Sequence, residues 1–150
     1  MRLGVLKSDI RTWSTVLNVN LVSNALLARA LFQELARAKG AVVNVTSIAG
    51  FKVHPFAGTA YAVSKAALFA LTREMAYEFG PEGIRVNAIA PGEIDTSILS
   101  PGTEEIVNKE IPLHRLGNPR EVAETIHFLC GPAASYINGA EIHINGGQHV

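Results

Sequence analysis

Thr59-Ala60-Tyr61-Ala62-Val63-Ser64-Lys65-Ala66-Ala67 is the stretch from which the rest of the chain is read. Its small residues, followed by Leu68, Leu71, Met75 and Phe79, predict a helix. Gly80-Pro81 supplies the stop. Tyr61 and Lys65 stand four apart, so they share a face of that helix. A phenol in water titrates near 10 and is a poor proton donor or acceptor at neutral pH. Bringing a phenol to ~7 takes roughly 4 kcal/mol. A cation about 4 Å away supplies that at an effective dielectric of ~20, but only about 1 kcal/mol in open water. Such a pair becomes a general acid/base only inside a sheltered cleft. The plainer alternative is an ordinary helix with one half-buried tyrosine and one solvated lysine.

Composition narrows the field. The 150 residues are 48% hydrophobic and 17% charged, as in an ordered globular chain of one domain. The net charge of +0 gives no general reason to bind nucleic acid or an anionic membrane. A single cysteine, Cys130, cannot form an internal disulfide, which suits a reducing compartment. No apolar run reads as long as the ~18 residues of a bilayer span. The start, Met1 to Lys7, is too short in its apolar part for a secretory signal. The cytoplasm is the expected location.

Upstream of the tyrosine stretch, residues 1–11 show no period and read as a loop. From Thr12 to Ala38 the apolar residues recur at three- and four-residue steps, which predicts a long helix. Asn18 and Asn20 interrupt its preference, and such inconsistencies often mark function. After Gly40, Ala41-Val42-Val43-Asn44-Val45-Thr46 reads as a buried parallel strand. Ser47 follows at its carboxyl end, where open parallel sheets bind ligands. A turn or cap serine is the alternative. The loop Phe51 to Gly58 then joins Ser47 to Tyr61 and carries His54, which reads as a surface histidine, with a base or ligand as the alternative.

Downstream, Ile84 to Ile89 predicts a second buried strand, broken by Ala90-Pro91-Gly92-Glu93-Ile94-Asp95-Thr96. The irregular segment to about Gly117, with a short helix near Thr103 to Lys109, has the length of a lid. Pro119 opens a helix to about Leu129. Glu141 to Asn145 alternates as a last strand, closed by Gly146-Gly147. The five histidines and Cys130 show no metal-ligand spacing, and His127 with Cys130 reads as packing. No metal is expected.

Seven pieces together resemble the C-terminal part of a short-chain dehydrogenase/reductase. They are Asn18-Val19-Asn20-Leu21, Val45-Thr46-Ser47, Tyr61-Ala62-Val63-Ser64-Lys65, Ile84-Arg85-Val86-Asn87, Pro91-Gly92-Glu93-Ile94-Asp95-Thr96, Ile111-Pro112-Leu113-His114-Arg115 and Asn145-Gly146-Gly147. They run in family order from about residue 12 to 147. The resemblance implies an α/β fold, a partial Rossmann-like doubly wound parallel sheet with three strands and long flanking helices. It implies an NAD- or NADP-dependent oxidoreductase that interconverts a small-molecule secondary alcohol and a ketone. Tyr61 resembles the acid/base. Lys65 resembles the residue that lowers the tyrosine pKa and holds the nicotinamide ribose, and Ser47 the hydroxyl that orients the substrate oxygen. Asn20 resembles the anchor of a water in a relay behind Lys65. Pro91, Gly92, Ile94 and Thr96 resemble the loop on the nicotinamide carboxamide. A homodimer or tetramer through helices 12–38 and 61–79 is implied as well.

The departures are as informative. A family member opens with a strand and a Gly-rich turn that seats the pyrophosphate on a helix N-terminus. None of the 13 glycines here forms a Gly-x-Gly. The chain reads as a family domain truncated at its N-terminal side, which predicts that Ala41 to Thr46 is an unpaired, apolar edge. Two alternatives therefore stand beside the enzyme: a non-catalytic remnant or assembly subunit that cannot hold a dinucleotide, and a hydrolase using Ser47. The hydrolase lacks the Gly-x-Ser-x-Gly setting, since Val45 stands where its first glycine belongs. The pocket would be shaped by Phe51 to Phe56 and by Ile98 to Leu116.

Overall fold

The computed structural model describes residues 3–97 and 99–150, so Ile98, where the second pocket segment named above begins, lies outside the described residues. A short 3-10 turn, Val5–Lys7, precedes the first helix in place of the expected loop. Asp9 caps that helix by accepting from the Thr12 N–H at 2.8 Å, so it begins at Ile10, two residues earlier than its apolar period indicates. It runs without a break through both asparagines. Helix α1 (Ile10–Leu17) passes into a π turn (Asn18–Val22) and on into α2 (Ser23–Ala38). Lys39 then takes the left-handed conformation, φ 46°, that ends α2 just before Gly40.

Three strands form one parallel sheet in the order β1 (Ala41–Val45), β2 (Arg85–Pro91), β3 (Glu141–Ile144). Register pairs Val43 with Asn87 and Val45 with Ile89 on one side, and Ile89 with Ile142 on the other. The middle strand is the buried one. Val86, Ala88, Ile89 and Ala90 are 0% exposed. β1 lies at an edge of the described sheet, as family strand order predicts, and is only half covered: Asn44 alone is buried and Val45 is 44% exposed. The expectation of a buried strand thus holds for β2 and not for β1.

Helices cover both faces. On one, α3 (Thr59–Phe79) and α2 enclose Ala28, Met75, Ala76, Phe79, Ile84 and Val86. The Phe32 ring meets the Phe79 ring edge-on at 4.9 Å. A buried hydrogen bond from Asn44 Nδ2 to Thr72 Oγ1, 2.9 Å, fastens α3 to β1. On the other face, α5 (Pro119–Cys130) packs Leu129 against Ile89 and Ala134. Asn118 and Glu121 close a capping box at the start of α5. The Arg85 guanidinium takes its last carbonyls, Leu129 at 2.7 Å and Cys130 at 3.3 Å. His127 and Cys130 are exposed on α5, against the expectation that they pack.

The continuous helix Ile10–Ala38 changes one further expectation. It is 29 residues long, and an 18-residue window reaches a mean hydropathy of 1.3 with 6% of it buried. By length and composition it could cross a bilayer. The asparagines that break the apolar run in the sequence do not break the helix. Val19, Val22, Leu26, Leu27 and Leu31 form an exposed apolar stripe along it.

Candidate active site

Three backbone features bring the tyrosine helix to the carboxyl end of β1. The first is Gly50. After β1, Ser47 begins a 3-10 turn (Ile48–Gly50), and its Oγ accepts from the Ala49 N–H at 3.2 Å. Gly50 then lies against α3 so closely that a Cβ there would come within 2.8 Å of the Ala66 nitrogen and 2.9 Å of the Lys65 carbonyl carbon. Only glycine permits this approach. The serine turn is thereby pressed onto α3 at the level of Lys65.

The second is the carbonyl of Val45. Lys65 Nζ donates to it at 2.8 Å. The ammonium lies 5.6 Å from the centre of the Tyr61 ring. Burial pushes the Lys65 pKa below its ordinary value. Tyr61 is 37% exposed, so its ring is partly covered while solvent still reaches it.

The third is the π turn. Asn20 Nδ2 donates to Ser64 Oγ at 3.0 Å, and Ser64 Oγ donates to the Tyr61 carbonyl at 2.7 Å. Ser64 is 0% exposed. Asn20 therefore ties the first long helix to α3 at the tyrosine itself, and its amide is engaged with Ser64 rather than with Lys65. Asn18, in contrast, faces solvent. Asn20 thus reaches the tyrosine's turn of α3 and Asn18 does not; π turns recur at functional sites. The sequence alone does not single out Ser64. Its place three residues after Tyr61, on the same helix face, is the signal that could have found it.

The segment after β2 closes the far side of the site. Gly92 N–H donates to the Ile144 carbonyl at 3.0 Å, and a Cβ on Gly92 would meet Asn145 Cβ at 2.6 Å. Glu93, Ile94 and Asp95 zip against Gly117 by two backbone bonds, 2.9 and 2.8 Å. Pro91, Gly92 and Ile94 are thus held in place, and Thr96 follows them in the exposed stretch beyond. The expected short helix, α4 (Thr103–Lys109), stands in the segment between.

His54 departs from expectation. It is 8% exposed, not on the surface, and its Nε2 lies 2.6 Å from Glu93 Oε1. Nothing in the loop's composition announces this, because the partner is 39 residues away in the chain. Among the described residues no group of three or more His, Cys, Asp or Glu could hold a metal ion.

The donor set suits the nicotinamide end of a dinucleotide. An ammonium offers three N–H groups, of which Val45 takes one here, and a phenol offers one O–H; ribose hydroxyls can meet both. The pyrophosphate end finds no Gly-x-Gly turn in these residues.

Comparison with known proteins identifies the family of the chain. The family model described as Enoyl-(Acyl carrier protein) reductase matches residues 2–149. Protein FixR of Bradyrhizobium diazoefficiens is 60% identical over 149 residues, covering 99% of this chain and 54% of that protein. A crystal structure of a short-chain dehydrogenase/reductase oxidoreductase from Brucella ovis, in complex with a partially ordered NAD, is 56% identical. It superposes with a TM-score of 0.78 over 96% of this chain and 57% of that one. A 3-oxoacyl-[acyl-carrier protein] reductase from Brucella melitensis with bound NAD is 34% identical and superposes at 0.93, over 100% of this chain and 56% of the other. The chain spans about half the length of these relatives.

Proposed function

Because this chain belongs to the short-chain dehydrogenase/reductase family, we propose that it carries the reaction centre of an NAD- or NADP-dependent oxidoreductase interconverting a secondary alcohol and a ketone. The carrying observation is the placement of Lys65: half-buried, fixed to Val45 and set over the Tyr61 ring. In this reading Tyr61 gives its phenolic proton to a carbonyl oxygen, or takes one from an alcohol. Lys65 stabilises the phenolate by its charge and offers its remaining N–H groups to a ribose. Ser47 donates to the substrate oxygen. Asn20 fixes the tyrosine's turn of helix through Ser64. Pro91, Gly92, Ile94 and Thr96 form the wall on the carboxamide side. A bound nicotinamide supplies or accepts the hydride. The 3-oxoacyl reductase among the similar structures suggests a 3-oxo ester as a first probe.

A second reading has one specific observation on its side. β1 stands at an edge of the described sheet, so in this reading the chain is a non-catalytic assembly subunit that pairs through that edge and retains the site residues. In either reading the exposed stripe of the first long helix and the neighbouring face of α3 form a contact between copies, and the free Cys130 fits a reducing cytoplasm.

Titration of the purified chain with NADH and NADPH, followed by nicotinamide fluorescence, separates the two. Saturable binding with turnover of ethyl acetoacetate supports the enzyme. No binding to a folded sample supports the subunit. Within an active sample, Tyr61→Phe should lower turnover by about 10²–10⁴-fold and leave cofactor binding in place. Retained turnover removes Tyr61 from the role.

A further inference from the structure

The loop Phe51 to Gly58 joins Ser47 to Tyr61, and one side chain in it reaches across to the opposite wall of the site. His54 Nε2 meets Glu93 Oε1 at 2.6 Å, with both side chains largely buried, 9% and 13% exposed. The tautomer follows from the second ring nitrogen. Nδ1 accepts the Phe56 N–H at 3.3 Å, so it carries no proton there, and Nε2 is left to donate to the Glu93 carboxylate. Glu93 itself is held, since its carbonyl accepts from the Gly117 N–H at 2.9 Å. It lies between Gly92 and Ile94, within the wall assigned to the nicotinamide carboxamide.

The same loop also grips both ends of α4. The Phe56 ring packs edge-on against His54, 5.7 Å between centres. It lies so near Gly102 that a Cβ there would come within 3.2 Å of it. At the other end, Lys52 Nζ reaches Glu110 Oε2 at 3.2 Å and the Gln148 carbonyl at 3.1 Å. The Lys52 contacts are half-exposed and weak. The His54–Glu93 bond is sheltered and charge-assisted, so it dominates.

We propose that His54 and Glu93 are a positioning pair: their buried hydrogen bond sets the loop between Ser47 and Tyr61 at a fixed distance from the Pro91–Thr96 wall. The pair thereby sets the width of the substrate cleft between acid/base and cofactor. It moves no proton in the reaction. The proposal rests on the oxidoreductase reading for its kinetic consequence, but its structural content is independent of it.

The test uses the full chain with His54→Leu, Glu93→Ala, the double variant and His54→Gln. Glutamine carries a donor to about the same reach as Nε2. With ethyl acetoacetate and NADH, each single variant should raise KM by about tenfold, with little change in the dissociation constant for NADH. The double variant should be no worse than either single one, and His54→Gln should return KM to within about threefold of the parent. Additive losses, or no rescue by glutamine, would overturn the pairing. Hydrogen exchange gives a reading that needs no turnover. His54→Leu should speed exchange of the Asp95 and Gly117 amides, distant in sequence from residue 54, and His54→Gln should not. Unchanged exchange overturns the proposal even if the chain proves inactive. A parent chain that neither binds NADH nor reduces the probe, but shows the coupled exchange, would sink the oxidoreductase reading and leave the positioning pair standing.

Discussion

Val45 and Ile89 are register partners on neighbouring strands, and they live in different surroundings. Ile89 is 0% exposed, with α5 beneath it and a strand on each side. Val45 is 44% exposed at an open edge. The two strands have similar, β-branched, apolar sequences. What separates them is coverage, and the proposed reaction centre sits on the poorly covered side. Lys65 fastens to the Val45 carbonyl there. The buried strand is thus a platform, and the proposed centre is mounted beside the edge that is open to further contacts.

The contrast is sharpest in stability. Ile89→Ala should cost about 3 kcal/mol in urea unfolding, because the cavity forms where nothing can collapse into it. Val45→Ala should cost under about 1 kcal/mol, since water already reaches the site. Equal losses would erase the distinction between the strands. Next in size is the tie between the regions. Thr72→Val leaves Asn44 Nδ2 buried without its partner and should cost about 2 kcal/mol. A smaller effect on folding, with a larger one on assembly, is expected from Leu26→Lys with Leu27→Lys on the exposed stripe. Stability should move by less than about 0.5 kcal/mol. Sedimentation should shift from associated species toward monomer. A parent chain that already sediments as a clean monomer would show that neither the stripe nor the β1 edge drives association.

The weakest expected effect lies at the start of α5. Hydrogen bonds from Arg115, with the Asn118 N–H, push the Glu121 pKa down to about 2. A carboxyl lowered on folding contributes stability above its ordinary value of 4.5, lost as pH falls toward about 2. Helicity measured by circular dichroism should therefore fray slightly across that window in the parent and less so in Glu121→Gln. The Glu121 side chain is about half-exposed, so salt should weaken the difference.

Much of this was legible in the sequence because it is local. The helix 12–38, the tyrosine helix, the short Thr103–Lys109 helix and all three strands were read from period and punctuation within a few residues of their observed ends. The edge status of β1 followed from family strand order. Burial of β1 was misread because Val42, Val43 and Val45 report what a residue prefers, while coverage depends on what stands beside it. The start of the first helix was missed because Asp9 caps it from outside the apolar pattern. The burial of His54 is not legible locally, because its partner Glu93 is distant in the chain and a lone loop histidine carries no mark of one. Asn20 was found, as a misfit, before its partner Ser64 was visible.

The π turn at Asn18–Val22 has one further consequence, in terms of insertions and deletions. A π turn holds one residue more than the α turn it replaces. Deleting one residue there would close the turn to a regular α turn and leave the helix on either side nearly in phase. The extra residue is absorbed locally, so the flanking segments keep their bearing and only the side chains of the turn itself are re-aimed. Asn20 lies within that turn, so its amide is the group that a deletion would move away from Ser64. The helix would survive with its apolar stripe nearly intact.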